Sequence, residues 1–257
     1  MLHRGVLYRT RADRGPLPTP GGIMALSKVA FVQELMELIK RGRSFGGHPL
    51  WWKISEGRLD REQLRGFAKQ FFLQVVEFPR AVSALHSRCP DLEERRKLAE
   101  SVYEEETGRL SRSKPHPELF LDFCASLDLA RDEVLAAAPL PGTAALIHWF
   151  ELSTKERPFL EGVAAINLAA EGQVVGAFGP FADALQRHYG LTKTAVAFWD
   201  IHELADAEHS DVGDHIVVRH ATTDVVQAGI RDAVQTSLRM WWLFFDDMDR
   251  AYGRTAR

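Results

Sequence analysis

Apolar residues recur at helical spacing along nearly the whole chain, and the strict alternation that marks a half-buried strand is almost absent. The pattern predicts an all-α protein, with helices near residues 25–41, 61–88, 92–109, 117–128, 131–137, 142–153, 157–174, 177–189, 193–219 and 223–252. Local signals agree with several of these starts. Asp91 followed by Glu94 three positions later reads as a capping box, and Pro117 falls where a first turn tolerates proline. Pro79 is expected to kink the helix that contains it. Gly42, Gly46 and Gly47 read as an interhelical loop, and no internal repeat, GxGxxG or P-loop interrupts the pattern.

A chain of 257 residues suits one generous domain, expected over residues 24–257. The first 23 residues differ: Arg4, Arg9, Arg11 and Arg14 stand among Pro16, Pro18, Pro20 and the Gly21-Gly22 pair, with no apolar stretch of a secretory signal. They read as a disordered extension, and Met24 is a candidate initiator. Composition excludes several classes of function. With 32 basic and 35 acidic residues the net charge is -3, and the arginines are scattered among glutamates, so no nucleic-acid partner is implied. The longest apolar run, residues 240–245, is too short to cross a bilayer, so no membrane partner is expected. Cys89 and Cys124 form neither a CxxC pair nor a disulfide framework, which fits a cytoplasmic location and argues against thiolate-bound metal.

The candidate chemistry lies in three helices. In AFWDIHELADAEHSDVGDHIV, residues 197–217, His202, Asp206 and His209 (i, i+4, i+7) share an arc of about 60° with Trp199, Ala205, Gly213 and Ile216 beside them. Glu203, Glu208 and His215 point away and read as ordinary exposed residues. Two histidines with an aspartate between them on an apolar stripe call for a cation, because desolvating a lone carboxylate is costly. In DLEERRKLAESVYEEETG, an arc drawn through Leu92, Leu98, Ala99, Val102 and Tyr103 centres on Glu106, with Glu105 at its edge and Glu104 outside. In PFLEGVAAINLAAEGQVV, the stripe of Leu160, Val163, Ala164, Leu168, Val174 and Val175 centres on Glu171. His116, in the loop-to-helix step SKPHPELF, is a further ligand candidate from a helix start.

Imidazoles and carboxylates without thiolate suit iron or manganese, and several carboxylates can bridge two such ions within a helical bundle. Zinc would need fewer oxygens. The ferritin-like arrangement requires Glu-x-x-His on two helices; only Asp206-x-x-His209 is present, which disfavours that bundle.

The chain resembles the heme-oxygenase-like diiron oxidases and oxygenases, relatives of the TenA and PqqC proteins, over about residues 44–253. The resemblance rests on HPLWWKISEGRLDREQLRGFAKQFF, VVEFPRAVSALHSRCPD, EEETGRLSRSKPHPELF and HELADAEH. It implies a heme-oxygenase-like helical bundle and a six-residue ligand set of Glu106, His116, Glu171, His202, Asp206 and His209. Two Fe(II) ions are implied, with manganese as an alternative, and dioxygen as cosubstrate. Glu106, Glu171 and Asp206 are the carboxylates expected to carry catalysis. The implied partner is a small-molecule substrate of amine, amino-acid or fatty-acid type, and a homodimer is compatible with the resemblance.

Among the relatives, TenA-like thiamin hydrolases use a cysteine on the helix that here carries Glu171, and this helix has none. PqqC-like oxidases work without metal and lack the full ligand set. Heme oxygenases need one proximal histidine near the N-terminus, and none is singled out here. A non-catalytic iron-binding helical protein is the alternative outside enzymes. Self-sacrificing para-aminobenzoate synthases use a lysine near the third carboxylate, whereas no lysine lies between Lys155 and Lys193. Phe72, Phe78, Trp149 and Phe198 are candidates to line the cavity, and Cys89 and Cys124 read as buried fillers.

Overall fold

The computed structural model describes residues 25–254, apart from the side chains at 204–212 and 214. Eleven α-helices follow in order among the described residues: α1 Lys28–Gly42, α2 Pro49–Ser55, α3 Arg61–Arg88, α4 Leu92–Thr107, α5 His116–Ser126, α6 Arg131–Leu135, α7 Pro141–Glu151, α8 Phe159–Val163, α9 Phe178–Tyr189, α10 Ala197–His220 and α11 Asp224–Tyr252. No strand occurs among the described residues. The expected extension over residues 1–23 lies outside them.

The long helices follow the apolar stripes. α3 packs against α4, α5 and α7, and α11 against α1, α3, α7 and α8. Between them lies an aromatic core in which Trp199, fully buried, meets Phe71 at 5.1 Å, Phe178 at 4.9 Å and Phe181 at 4.8 Å between ring centroids. Each such ring contributes on the order of 1.5–3 kcal/mol by leaving water, which is what holds helices from both halves of the chain together. α3 begins with a full capping box between Asp60 and Gln63 and runs on through the buried Pro79.

Two local sequences depart from the expected helices. α2 is an additional helix in the segment after the Gly46-Gly47 turn. Its seven residues are too few to show periodicity, and it is started by Pro49 in its first turn and by His48 Nδ1 accepting the Leu50 N–H at 3.1 Å. The expected helix over 157–174 is divided: α8 passes into a π-helical turn, Ala164–Leu168, and then a 3-10 turn, Glu171–Gln173. In the wide turn the Ala169 N–H reaches back five residues to the Ala164 carbonyl at 2.9 Å. Gly213 of α10 lies against it, where a Cβ would press on Asn167.

Gly108 decides how α4 hands over to α5. It ends α4 in the left-handed region (φ 62°), and any Cβ there would collide with the Lys114 carbonyl, so the chain folds back tightly. Residues 109–115 then cross the end of α4, and α5 opens with His116 facing it.

Candidate metal centre

The buried face of α4 is not its most apolar one. Glu94, Leu98, Ser101 and Glu105 fall within about 60° of arc and are all buried, while Ala99 is exposed and Leu92 and Tyr103 are 61% and 44% exposed. Glu106 lies about 100° from Glu105 and is exposed, so the expectation that it points inward is corrected: Glu105 takes that place. The apolar arc misled because the helix buries carboxylates and turns hydrophobic side chains outward.

Glu105, His116 and His202 each offer a donor atom within 4.8 Å of the others. His116 Nδ1 stands 3.0 Å from Glu105 Oε1, and His202 Nε2 stands 4.0 Å from the same oxygen. The two imidazole rings are 4.5 Å apart at 62°. Both rings are oriented from behind. The Nδ1–H of His202 donates to the Phe198 carbonyl at 2.7 Å, which leaves Nε2 with its lone pair toward the cluster. His116 Nε2 lies 3.4 Å from Glu104 Oε1, a carboxylate–histidine pairing of the kind that supports a metal-bound imidazole. His116 Nδ1 is fully enclosed, and its approach to Glu105 Oε1 at 3.0 Å lacks the angles of a regular hydrogen bond. An enclosed imidazole nitrogen aimed beside a carboxylate oxygen suits two donors that share one cation, so these residues fit a metal ion.

Glu104, expected to lie outside the buried arc, is buried. Its Oε2 accepts the Leu110 N–H at 2.7 Å and the Ser111 N–H at 3.3 Å, tying down the loop after Gly108. Burial pushes its pKa up, but the Ser111 and Leu110 hydrogen bonds and His116 outweigh that and hold it below the usual carboxylate range. Burial pushes His116 down, and Glu105 and Glu104 reverse this, leaving it above the ordinary imidazole value.

Glu171 is buried as expected. Asn167, four residues earlier across the wide turn, holds its Nδ2 3.4 and 3.5 Å from the two carboxylate oxygens. Glu171, Glu105 and His202 all line one cavity, whose other walls are mainly Phe45, Phe71, Phe78, Phe178, Phe198 and Trp241. Of the expected cavity aromatics, Phe78 and Phe198 are there. Phe72 packs against Phe120 instead, and Trp149 lies under the Arg157 guanidinium.

Of the expected ligands, His116 and His202 stand together with Glu105, and Glu171 shares the cavity wall with Glu105 and His202. Asp206 and His209 lie outside the described residues. On α10, Glu203 is not an idle exposed residue: its carboxylate accepts the N–H groups of Gly176, Phe178 and Gly179 at 2.6, 2.9 and 3.0 Å and so caps the start of α9. His215 is about half exposed, and Glu208 lies outside the described residues. Cys89 and Cys124 are buried fillers as expected, and burial pushes the Cys124 thiol up to about 12, so it stays protonated. Gln74, also on the cavity wall, was missed. A glutamine at an inward position of the Phe71, Val75, Phe78 stripe was the available signal.

Among the described residues no helix is long and apolar enough to cross a membrane. The model of the iron-containing redox enzymes matches residues 65–242. The 4-aminobenzoate synthase of Nitrosomonas europaea is 30% identical over 232 residues, covering 86% of this chain and 92% of that protein. The pyrroloquinoline-quinone synthase of Pseudomonas aeruginosa is 26% identical over 217 residues, 80% of this chain and 81% of that one. A Shewanella denitrificans domain with a heme oxygenase-like fold superposes with a TM-score of 0.72 at 17% identity, covering 89% of this chain and 94% of that one. With a buried histidine–carboxylate cluster inside a fold of that kind, this all-α chain belongs to the iron-containing redox enzyme family and is an oxidoreductase.

Proposed function

We propose that the protein is a non-heme diiron oxidase or oxygenase that uses dioxygen to oxidise a small organic substrate of amine, amino-acid or fatty-acid type. The observation that carries this reading is the Glu105–His116–His202 cluster beside an aromatic cavity. Glu105, His116, Glu171 and His202 would hold the metal, and Asp206 and His209 would complete a six-residue set for two irons, or for iron with manganese. A bound iron pair supplies dioxygen chemistry that no amino-acid side chain offers. The chain's own residues do the rest. The Phe198 carbonyl keeps the His202 proton on Nδ1, and Glu104 orients His116 and can accept its Nε2 proton. The phenylalanine walls keep water away from the carboxylates and give an apolar substrate a surface to lie on.

The similarity to 4-aminobenzoate synthase bears on the source of the substrate. A chain that consumed its own side chains would need an amine at the site, and no lysine is among the described residues lining this cavity. That favours a substrate from outside the chain. Metal analysis, followed by anaerobic loading with iron(II) and exposure to oxygen, tests the reading. Two irons per chain and rapid oxygen uptake are expected. Saturation at one metal, or uptake of zinc alone under excess iron, would overturn it.

A further inference from the structure

Helix α3 sends four residues to the cavity, Phe71, Gln74, Val75 and Phe78, at i, i+3, i+4 and i+7. Three are apolar and one is a carboxamide. Gln74 is buried, and among the described residues its side chain makes no hydrogen bond. Gln70, one turn earlier, shows how a structural glutamine in the same helix is satisfied. Its Nε2 donates to the Ala138 carbonyl at 2.9 Å, and its Oε1 accepts from the Leu140 N–H at 2.8 Å and the Thr143 hydroxyl at 2.7 Å. Nor is the Gln74 amide sealed into the core like the unpartnered Nε1 atoms of Trp149 and Trp199; it opens on the cavity. An amide that opens on a cavity and has no partner in the fold gives its hydrogen bonds to whatever occupies that cavity, water or a ligand.

We propose that Gln74 is the substrate-positioning residue of this site, and that it recognises an uncharged polar group, such as an amide, an alcohol or a neutral amine, on a small substrate. The proposal rests on the reading that the site oxidises an external substrate. Charge and size narrow the class. Among the described residues no lysine or arginine lines the cavity, so an anionic group at Gln74 would lose its water for a neutral amide alone. A cationic group would be drawn to Glu105 and Glu171 instead. The cavity offers about 50 Å³ to the centres of water-sized molecules, which is room for a few heavy atoms. Gln74 presents both a donor and an acceptor, matching groups that do the same.

The test uses the purified protein before iron loading and three probes of graded polarity: propanamide, propanoate and xenon, each followed by NMR. Gln74→Met keeps the length of the side chain and removes its hydrogen bonds. It should weaken propanamide roughly tenfold, retain xenon, and leave the thermal midpoint unchanged or higher because an unpaired amide has gone. Equal propanamide binding by both proteins, or none by the wild type, would overturn the proposal. So would tighter binding of propanoate than of propanamide, or a lowered midpoint with loss of xenon, which would make Gln74 a structural residue. Iron stoichiometry and oxygen uptake on the same preparations report on the diiron reading separately, since they can fail while the propanamide selectivity holds, and the reverse.

Discussion

Helix α4 buries a carboxylate at each end, and the two keep different company. Glu94 faces Arg219 Nη1 at 3.3 Å, His220 Nε2 at 3.4 Å and His215 Nδ1 at 3.8 Å. Glu105 faces His116 Nδ1 at 3.0 Å and His202 Nε2 at 4.0 Å, and the partners described for it are imidazoles. A guanidinium is always charged, so the balancing cation at Glu94 is part of the chain. Imidazoles are metal ligands when neutral, so a cluster of Glu105 type is suited to exchange any proton it holds for a cation from outside. The same residue type on the same helix face thus makes a structural clamp at one end and a candidate metal centre at the other. The difference lies in what α10 supplies: an arginine near its end, a histidine near its start.

The sharpest way to break the comparison is to remove each carboxylate. Glu105→Ala should lower iron(II) affinity more than ~100-fold and abolish oxygen uptake, while Glu94→Gln should load iron normally. Iron per chain after gel filtration reads both. Glu106→Ala belongs in the same series, and a loss of iron there with none at Glu105 would reverse the assignment of the α4 face. A smaller effect is expected behind the ligands. Glu104→Gln should weaken iron binding by about 10–100-fold in competition with a chelator, because His116 loses its orienting carboxylate.

At the clamp, Arg219→Met should lower the thermal midpoint by a few degrees and leave iron loading unchanged. Adding Glu94→Gln to it should recover part of the loss, since the stranded charge is removed; strictly additive losses would deny the pairing. The smallest effect concerns Asp91, which caps α4 beside that clamp. The Glu94 N–H, then the Glu93 N–H and Arg219, hold its carboxyl below the usual range against the opposing effect of desolvation. A depressed pKa in the fold means that its stabilisation is complete above the ordinary carboxylate range and is lost as pH falls through the depressed value. The midpoint difference between wild type and Asp91→Ala should therefore be constant near neutrality and shrink in acid. A difference that persists in strong acid would show the cap to be independent of charge.

The fold was legible because α3 and α11 are long and bury continuous apolar stripes, where hydrophobic periodicity and burial say the same thing. His202 was legible for the same reason: it shares its face with the buried Trp199 and Ile216. α4 was not, because its buried carboxylates are matched across the bundle, Glu94 by Arg219 and Glu105 by the imidazoles of His116 and His202, which inverts the rule and puts Glu94, Ser101, Glu104 and Glu105 inside. The expected capping box failed in the same way: Asp91 caps the helix, but the Glu94 side chain turns to Arg219. Glu203 was misread because its partners, the N–H groups opening α9, lie about 25 residues away in the chain.

Sequence alone determined the all-α class, the positions of the long helices, the inward placement of Glu171 and His202, and a candidate donor set of imidazoles and carboxylates rather than thiolates. These follow from residue identity and from a repeat that acts over a turn or two. Tertiary structure alone decided that Glu105 and not Glu106 joins the centre, that Glu104 stands behind His116, and that Gln74 opens on the cavity while Gln70 is bound. Each of those outcomes depends on which neighbour meets a side chain across the bundle, and a carboxylate or amide can be buried wherever such a neighbour supplies its hydrogen bond or its charge.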